Sequence, residues 1–448
     1  MIKNRAELAT TRMREHALDI VEAGIARVLP TEVMRASLKY DAGTRSLAVQ
    51  GKAFDLSRAR LFVVGGGKAS ALMAQALEEI PGHDVITAGV VTTKEGVSTH
   101  VTETIVVLPA GHPVPDERGV AAVRRMLELK SRYSIGRNDI VLCLISGGGS
   151  ALMPCPVDEM RLAEKQSVTS LLLASGADIS EINTVRKHLS KTKGGGLGRF
   201  FAPATVISLI LSDVIGNDLS VIASGPTHPD PSTFSDALEV LRKYDLIART
   251  PAAVLGFLEK GAAGDVEETP KTLENCHNFI IGDNMLALEA MEKEARKLGL
   301  RPHIITSEQK GEPAEVAASR AKEILNGKYA GFDVLLIGGE TTPRLPAGAG
   351  KGGRNQHYAA VSVLAMKDYP GRWAVASVGT DGSDFLPDVA GAIVDDATLS
   401  RLASRSIDVQ SYLDRYDAYD LLVETGDSLV KTGNTGTNVG DVIVYVLG

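Results

Sequence analysis

Short apolar runs alternate with longer amphipathic stretches through most of the chain. LFVV (61–64), TIVVLPA (104–110), IVLCLIS (140–146) and VISLILS (206–212) are the clearest of them. Runs this short and this apolar predict strands covered on both faces, hence a mostly parallel sheet flanked by helices. A second alternation follows in NFIIGDN (278–284), FDVLLIGGE (332–340), WAVASVGTDG (373–382) and DVIVYVLG (441–448). Ahead of both, Ala17, Ile20, Val21, Ile25 and Val28 recur at helical spacing, and Pro30 closes the pattern. Between the two alternations, GAAGDVEETPKTLENCH (261–277) has no periodicity and reads as a linker. The pattern therefore predicts an α/β protein of two domains, residues 1–262 and 278–448. It leaves open whether the last strand returns to the first domain.

The length of 448 residues agrees with two cores rather than one. A net charge of −7 supplies no basic stripe for nucleic acid. Cys143, Cys155 and Cys276 form no CxxC pair and fit a reducing compartment. The N-terminal residues mix Arg with Glu and Asp and lack an apolar signal core, and no window is apolar enough to span a membrane. The expectation is a cytoplasmic protein with small-molecule partners and no nucleic-acid or membrane partner. A homo-oligomer stays open.

In parallel sheets, ligands sit beyond the carboxyl ends of the strands; the Gly-rich turns after Val64 and Ile145 fall there, and so does SDVIGNDLSVIASGPT after Leu211. VVGGGKAS (63–70) could hold an anion, with Lys68 in the first helical turn. Phe62 and Ala69 break the Walker A pattern, and Ser70 stands where a dinucleotide fingerprint needs glycine. The bland alternative is a tight turn with a solvated lysine. SGGGSAL (146–152) is no nucleophile elbow, because Leu152 stands where glycine is required. It reads as an oxyanion- or phosphate-holding turn, since three glycines in a mere connector cost backbone entropy. INTVRKHLSKTKGGGLG (182–198) puts Arg186, Lys187, Lys191 and Lys193 within about two turns, with Asn183 neighbouring Arg186 and Lys187 on one helix, for an anion or for solvent. Asp213, Asp218, Glu340, Asp381 and Asp384 follow apparent strand ends, as Mg²⁺ ligands or as turn caps. His112, His188 and His357 have no metal-ligand spacing, and the prolines beside His112 favour a rigid turn.

Taken in order, VVGGGKAS, PAGHPVPDERG, LISGGGSALMP, INTVRKHLSKTKGGGL, SLILSDVIGNDLSVIASGPT, IGDN, GGETT with GKGGRNQ, GTDGSD with AGAIVD, and TGNTGTNVGD resemble the glycerate 2-kinase family. The C-terminal part of that family is called the MOFRL domain. The resemblance runs from about Ala17 to the end of the chain. It implies two α/β domains with the active site in the interdomain cleft. The implied reaction is ATP- and Mg²⁺-dependent phosphorylation of D-glycerate at the 2-hydroxyl. It also implies that Lys68 and Arg354 are the catalytic basic pair. Some relatives are labelled hydroxypyruvate reductase, against which the missing dinucleotide fingerprint argues. The chain departs from the family pattern at His357, where glutamate is usual, at Phe385, where glycine is usual, and at Thr432–Asn434. A kinase of another small sugar acid is the alternative.

For such a reaction the expected roles follow from charge and position. Gly66, Gly67, Ser146, Gly147, Gly148, Gly149 and Ser150, with Asn183 and Lys187, would hold the nucleotide phosphates. Arg186 and Asn355 would hold the acceptor acid, Arg186 by its planar fork. Asp213 or Asp218 would bind Mg²⁺, and Asp381 would orient or deprotonate the reacting hydroxyl.

Overall fold

The computed structural model describes residues 1–97 and 102–448. It divides into two compact units, Val33–Ile281, and Met1–Glu32 together with Gly282–Gly448. Each has its own central six-stranded sheet.

The first unit opens with a small antiparallel sheet, β1 (Leu38–Asp41), β2 (Ser46–Val49) and β3 (Lys52–Asp55). Its main sheet contains β4 (Leu61–Gly66), β5 (Ile86–Lys94), β6 (Ile105–Ala110), β7 (Ile140–Ser146), β8 (Thr205–Leu211) and β9 (Cys276–Gly282). The order is β6-β5-β4-β7-β8-β9, and the pairings from β6 through β8 are parallel. Every residue of β4 and β7 is buried, as their unbroken apolar runs predict. These two adjacent strands carry the first two Gly-rich turns on their carboxyl ends.

The second unit contains β10 (Pro302–Gln309), β11 (Val334–Gly339), β12 (Trp373–Gly379), β13 (Gly391–Asp395), β14 (Leu429–Val430) and β15 (Asp441–Leu447). Their order is β10-β11-β15-β12-β13-β14. Here only β10 and β11 run parallel; the other pairings are antiparallel, so this sheet is mixed. The last strand does not return to the first unit. It lies at the centre of this sheet, buried along its whole length.

The division at 262 and 278 is corrected at both ends. Residues 261–277 are not a free linker, because Glu268 bonds His188 Nε2 at 2.8 Å and the Phe234 N–H at 3.0 Å, and Thr269 Oγ1 donates to Asp230 at 3.1 Å. The segment is thus fastened to the first unit and leads directly into β9. The N-terminal segment belongs instead with the second unit. Thr11 caps the helix Arg12–Arg27, whose Ala17, Leu18, Ile20, Val21 and Ile25 are fully buried. This helix packs on the helix Asn284–Lys297 and on β12 and β15. Gly24 permits the approach, since a Cβ there would lie 2.6 Å from Met291 Cγ. Arg14 fixes it: fully buried, it pairs with Asp395 at 2.8 Å and Asp427 at 3.3 Å and donates to the Ile393 carbonyl at 3.2 Å.

Removing one partner of a buried ion pair strands the other in a poor solvent. Arg401 also reaches Asp395 and Asp427, at 3.2 and 3.3 Å, which limits the loss. Arg14→Ala is expected to destabilise the second unit by about 3 kcal/mol in urea unfolding. A cost within experimental error would contradict this role.

Candidate active site

The turn after β4 and the turn after β7 are bonded to each other. The Lys68 N–H donates to the Gly147 carbonyl at 2.9 Å, and the Ala69 N–H to Ser146 Oγ at 3.0 Å. Gly67 has φ +155° and passes so close that a Cβ would sit 2.1 Å from Ser146 Oγ. On the other side, the Gly67 N–H donates to the Thr92 carbonyl of β5 at 3.2 Å. Ser146 is therefore a fastener between the loops, and its hydroxyl is not turned to a ligand as expected from sequence. Gly66 also serves packing: its carbonyl would lie 2.7 Å from a Cβ on Gly149.

The outer part of the second turn is different. Gly148 is left-handed at φ +80°, and among the described residues the N–H groups of Gly148, Gly149 and Ser150 meet no acceptor. Three adjacent backbone donors left in this way form an anion-binding concavity. Lys68 Cγ and the His112 ring flank it, 3.3 and 2.8 Å from where a Gly148 Cβ would be. Burial, with Lys68 and Lys94 nearby, lowers the His112 pKa to about 4, so the imidazole is neutral at neutral pH.

Beside this concavity lies a cavity of about 240 Å³ whose lining includes Ser150, Lys165, Arg186 and Lys193. Lys193 Nζ donates to the Ser150 carbonyl at 2.7 Å and to its hydroxyl at 2.8 Å, and Arg186 donates to the same hydroxyl. Ser224 bonds Ser150 Oγ at 2.8 Å and donates to Asn183 Oδ1 at 3.0 Å. Asn183 thus braces this cluster through its Oδ1. Lys165 Nζ donates to the Leu189 carbonyl at 3.2 Å. Lys165 and Lys193 are buried, at 6% and 3% exposure, and no carboxylate among the described residues pairs with Lys165, Lys193 or Arg186. Burial, reinforced by Arg186, lowers the Lys165 pKa to about 7. Burial, Arg186 and Lys165 push Lys193 far below the ordinary lysine range.

Lys187 is not part of this group. It pairs with Asp230 at 3.2 Å, both side chains buried, away from the turn where a phosphate contact was expected of it. Sequence reasoning missed Lys165 and Ser224; it marked Lys193 only as one of a basic run, and it favoured a rigid turn at His112. Lys165 did carry a signal: it lies on the buried stripe of its helix with Leu162, Val168 and Leu172.

Asp213 and Asp218 follow β8 as expected. Asp213 is half-buried; Asp218 is exposed and accepts the Ser220 N–H at 2.8 Å. Among the described residues no three His, Cys, Asp or Glu side chains gather into a metal cage. Mg²⁺ commonly takes only one or two protein carboxylates, with phosphate oxygens and water completing its shell. The two aspartates fit that mode.

In the second unit, Arg354 opens the helix Arg354–Ala365 immediately after Gly353. Asp441, at the start of β15, receives its Nε at 2.6 Å and its second terminal nitrogen at 3.1 Å. Glu340, just past β11, receives the other terminal nitrogen at 2.6 Å. These carboxylates raise the Arg354 pKa against the effect of burial and leave the guanidinium fixed in one orientation. Asn355, expected to hold the acceptor, is engaged by protein partners. It is buried, its amide nitrogen donates to Asp441 at 2.9 Å, and its oxygen accepts from Ser377 at 2.6 Å. Asp384 accepts the Asn355 and Gln356 N–H groups at 3.1 and 2.8 Å and so caps the helix from outside. Burial pushes its pKa up to about 6. Asp381 is half-buried and accepts the Ser383 N–H at 2.9 Å, a turn-capping contact. Of the two departures in this region, His357 stacks on Tyr416 with ring centroids 4.3 Å apart, and Phe385 holds φ +65° with its ring exposed.

The buried lysines make stability depend on pH with a definite sign. Lys165 titrates near 7 in the native state and near 10.4 when unfolded, so between these values the unfolded chain holds more protons and stability rises with pH. The slope is about 1.4 kcal/mol per pH unit for a proton absent only from the native state. Lys165→Met removes this contribution. In urea unfolding of the ligand-free chain, the advantage of the variant over wild type is expected to shrink by about 1–2 kcal/mol between about pH 7 and about pH 8.5. A constant difference would contradict a neutralised, buried Lys165.

Comparison with known proteins places this geometry in a family. A domain of unknown function, DUF4147, matches residues 16–259, and the MOFRL family matches residues 333–441. A glycerate 2-kinase of Pyrococcus horikoshii is 39% identical, over 96% of this chain and 98% of its own length. The D-glycerate 2-kinase of Thermotoga maritima is 38% identical, over 97% of this chain and 98% of its own. The crystal structure of a glycerate kinase from Thermotoga maritima superposes with a TM-score of 0.85 at 38% identity, covering 97% of this chain and 99% of that one. The two Gly-rich turns, the arginine held by two carboxylates and the two matched domains identify the chain as a member of the glycerate 2-kinase family.

Proposed function

We propose that this protein is a glycerate 2-kinase, transferring the γ-phosphoryl group of ATP to the 2-hydroxyl of D-glycerate in the presence of Mg²⁺. The observation that carries the reading is the row of N–H groups at Gly148, Gly149 and Ser150 that meet no acceptor among the described residues, set at the carboxyl end of the central strands beside Lys165, Lys193 and Arg186, which pair with no described carboxylate. Relatives named as glycerate kinases supply the acceptor.

Phosphoryl transfer needs positioning and positive charge more than covalent chemistry. In this reading the backbone of Gly147–Ser150 holds nucleotide phosphates. Lys68 and Arg354 are the cations that stabilise charge on the transferred group, Arg354 presented by Asp441 and Glu340. Mg²⁺, when bound with the nucleotide, neutralises phosphate oxygens; Asp213 and Asp218 are its proposed protein ligands. Asp381 orients the acceptor hydroxyl and takes up its proton. Arg186 receives the acceptor carboxylate. A dehydrogenase reading has no such support, since Ser70 occupies the third fingerprint position and β5 ends in Thr92, Thr93 and Lys94.

Incubation with ATP, Mg²⁺ and D-glycerate is expected to release ADP and yield 2-phosphoglycerate; the 3-isomer would overturn the regiochemistry. Arg354→Ala is expected to lower kcat by about 10²–10³ with a smaller change in KM, as for loss of one preorganised charge donor. A kcat within a few-fold of wild type would remove Arg354 from the transition state. NADH consumption with hydroxypyruvate would overturn the kinase assignment in favour of a reductase.

A further inference from the structure

The cavity bounded by Ser150, Lys165, Arg186 and Lys193 gathers three basic groups that no carboxylate among the described residues pairs with. Lys165 comes from the helix Leu162–Ser175, Arg186 from the helix Ile179–His188, and Lys193 from the turn before the helix Gly196–Phe201. These are separate elements brought to one small space. Around Lys165, the titratable groups facing it are Arg186, Lys193 and the thiol of Cys155; no acid is among them. Nearby acids are already committed elsewhere. Asp230 is bound by Lys187, and Asp158 by Lys191. Burying cations without counter-charge is costly. Such a cluster is compensated when an anion enters.

Size and lining choose among anions. The cavity of about 240 Å³ falls below the ~300–1,000 Å³ usual for drug-sized ligands, so a small acid matches it better than a nucleotide. Its other walls mix the apolar Val114, Leu162 and Leu173 with the polar Gln166, Thr169 and Ser170. The planar fork of Arg186 matches a carboxylate. The nucleotide phosphates have the neighbouring backbone N–H groups.

We propose that Lys165 and Lys193, with Arg186 and Ser150, form the seat of the acceptor's carboxylate, and that this seat makes the enzyme select an acid over a neutral polyol. The assignment rests on the kinase reading for the word acceptor, but the seat itself is a binding site that can be tested without turnover. Because a carboxylate beside Lys165 favours the protonated amine, the acid binds together with a proton taken from solvent when the pH is above the native titration of Lys165, about 7. Lys165 and Lys193 are then specificity-determining residues.

The test is calorimetric titration of D-glycerate into the full chain, with and without ADP, at about pH 8 in two buffers of different ionisation enthalpy. Wild type is expected to take up about one proton per glycerate bound, and glycerol is expected not to bind. Lys165→Arg, which keeps the charge at all accessible pH, is expected to bind glycerate within a few-fold of wild type with a smaller proton uptake, Lys193 alone then remaining to be protonated. Lys165→Met is expected to weaken glycerate binding about ten-fold or more while ADP affinity stays unchanged. Should Lys165→Met fold poorly, the wild-type buffer comparison and the Arg variant still decide. Glycerate binding without proton uptake, or with equal affinity in Lys165→Met, overturns the seat. Proton uptake and Lys165 dependence that follow ADP instead of glycerate overturn it in favour of the nucleotide. Turnover by wild type without the linked proton sinks the seat and leaves the kinase reading intact. Lys165-linked glycerate binding without ADP release sinks the kinase reading and leaves the seat.

Discussion

The close passage of β4 against β7 at their carboxyl ends is the constraint on which the first unit's site depends. Gly65 pairs with Leu144 and Gly66 with Ile145. A Cβ on Gly65 would lie 2.1 Å from the Leu144 carbonyl oxygen, and one on Gly67 the same distance from Ser146 Oγ. No side chain fits at either place, and Gly67 has the positive φ that other residues resist. With the two turns locked by Lys68 N–H and Ala69 N–H, the chain after Gly147 has one way out. Gly148 takes the left-handed conformation, and its N–H and those of Gly149 and Ser150 meet no acceptor among the described residues. The question of why a buried strand ends in Ser-Gly-Gly-Gly-Ser has a physical answer: the first residue fastens, the middle ones permit close approach and reversal, and the last hydroxyl gathers Arg186, Lys193 and Ser224.

The two units manage charge in opposite ways. In the first, the two buried amines of Lys165 and Lys193 lie beside Arg186 with no acid paired to them among the described residues, so they are driven toward neutrality until an anion arrives. In the second, one arginine is held by Asp441 and Glu340, with Asp384 close by, and burial raises the pKa of both aspartates. The first arrangement is poised for a ligand of negative charge. The second sets the direction of a single guanidinium: each of its three nitrogens already makes one hydrogen bond to a carboxylate, and each terminal nitrogen retains a further N–H.

Much of this was legible in the sequence because it is written in local patterns. Unbroken apolar runs gave β4, β7 and β8, and the glycine clusters marked their functional ends. What required distant partners was not legible. Arg186 and Lys187 are adjacent and chemically alike, yet one faces Ser150 and the other a buried Asp230, a distinction set by tertiary packing. Asn355 follows the candidate arginine but is consumed by Asp441 and Ser377. The N-terminal helix gave its own boundaries, while its place beside β15 depends on Arg14 meeting Asp395 and Asp427 from the far end of the chain. Lys165 is the instructive intermediate case, since a lysine on an apolar helical stripe is a local anomaly that sequence alone exposes and only the structure interprets.

The most direct measurement is a crystal structure of the full chain with a non-hydrolysable ATP analogue and Mg²⁺. The account predicts phosphate oxygens within hydrogen-bond distance of the N–H groups of Gly148, Gly149 and Ser150. Phosphates bound elsewhere, with those three N–H groups facing only water, would contradict it.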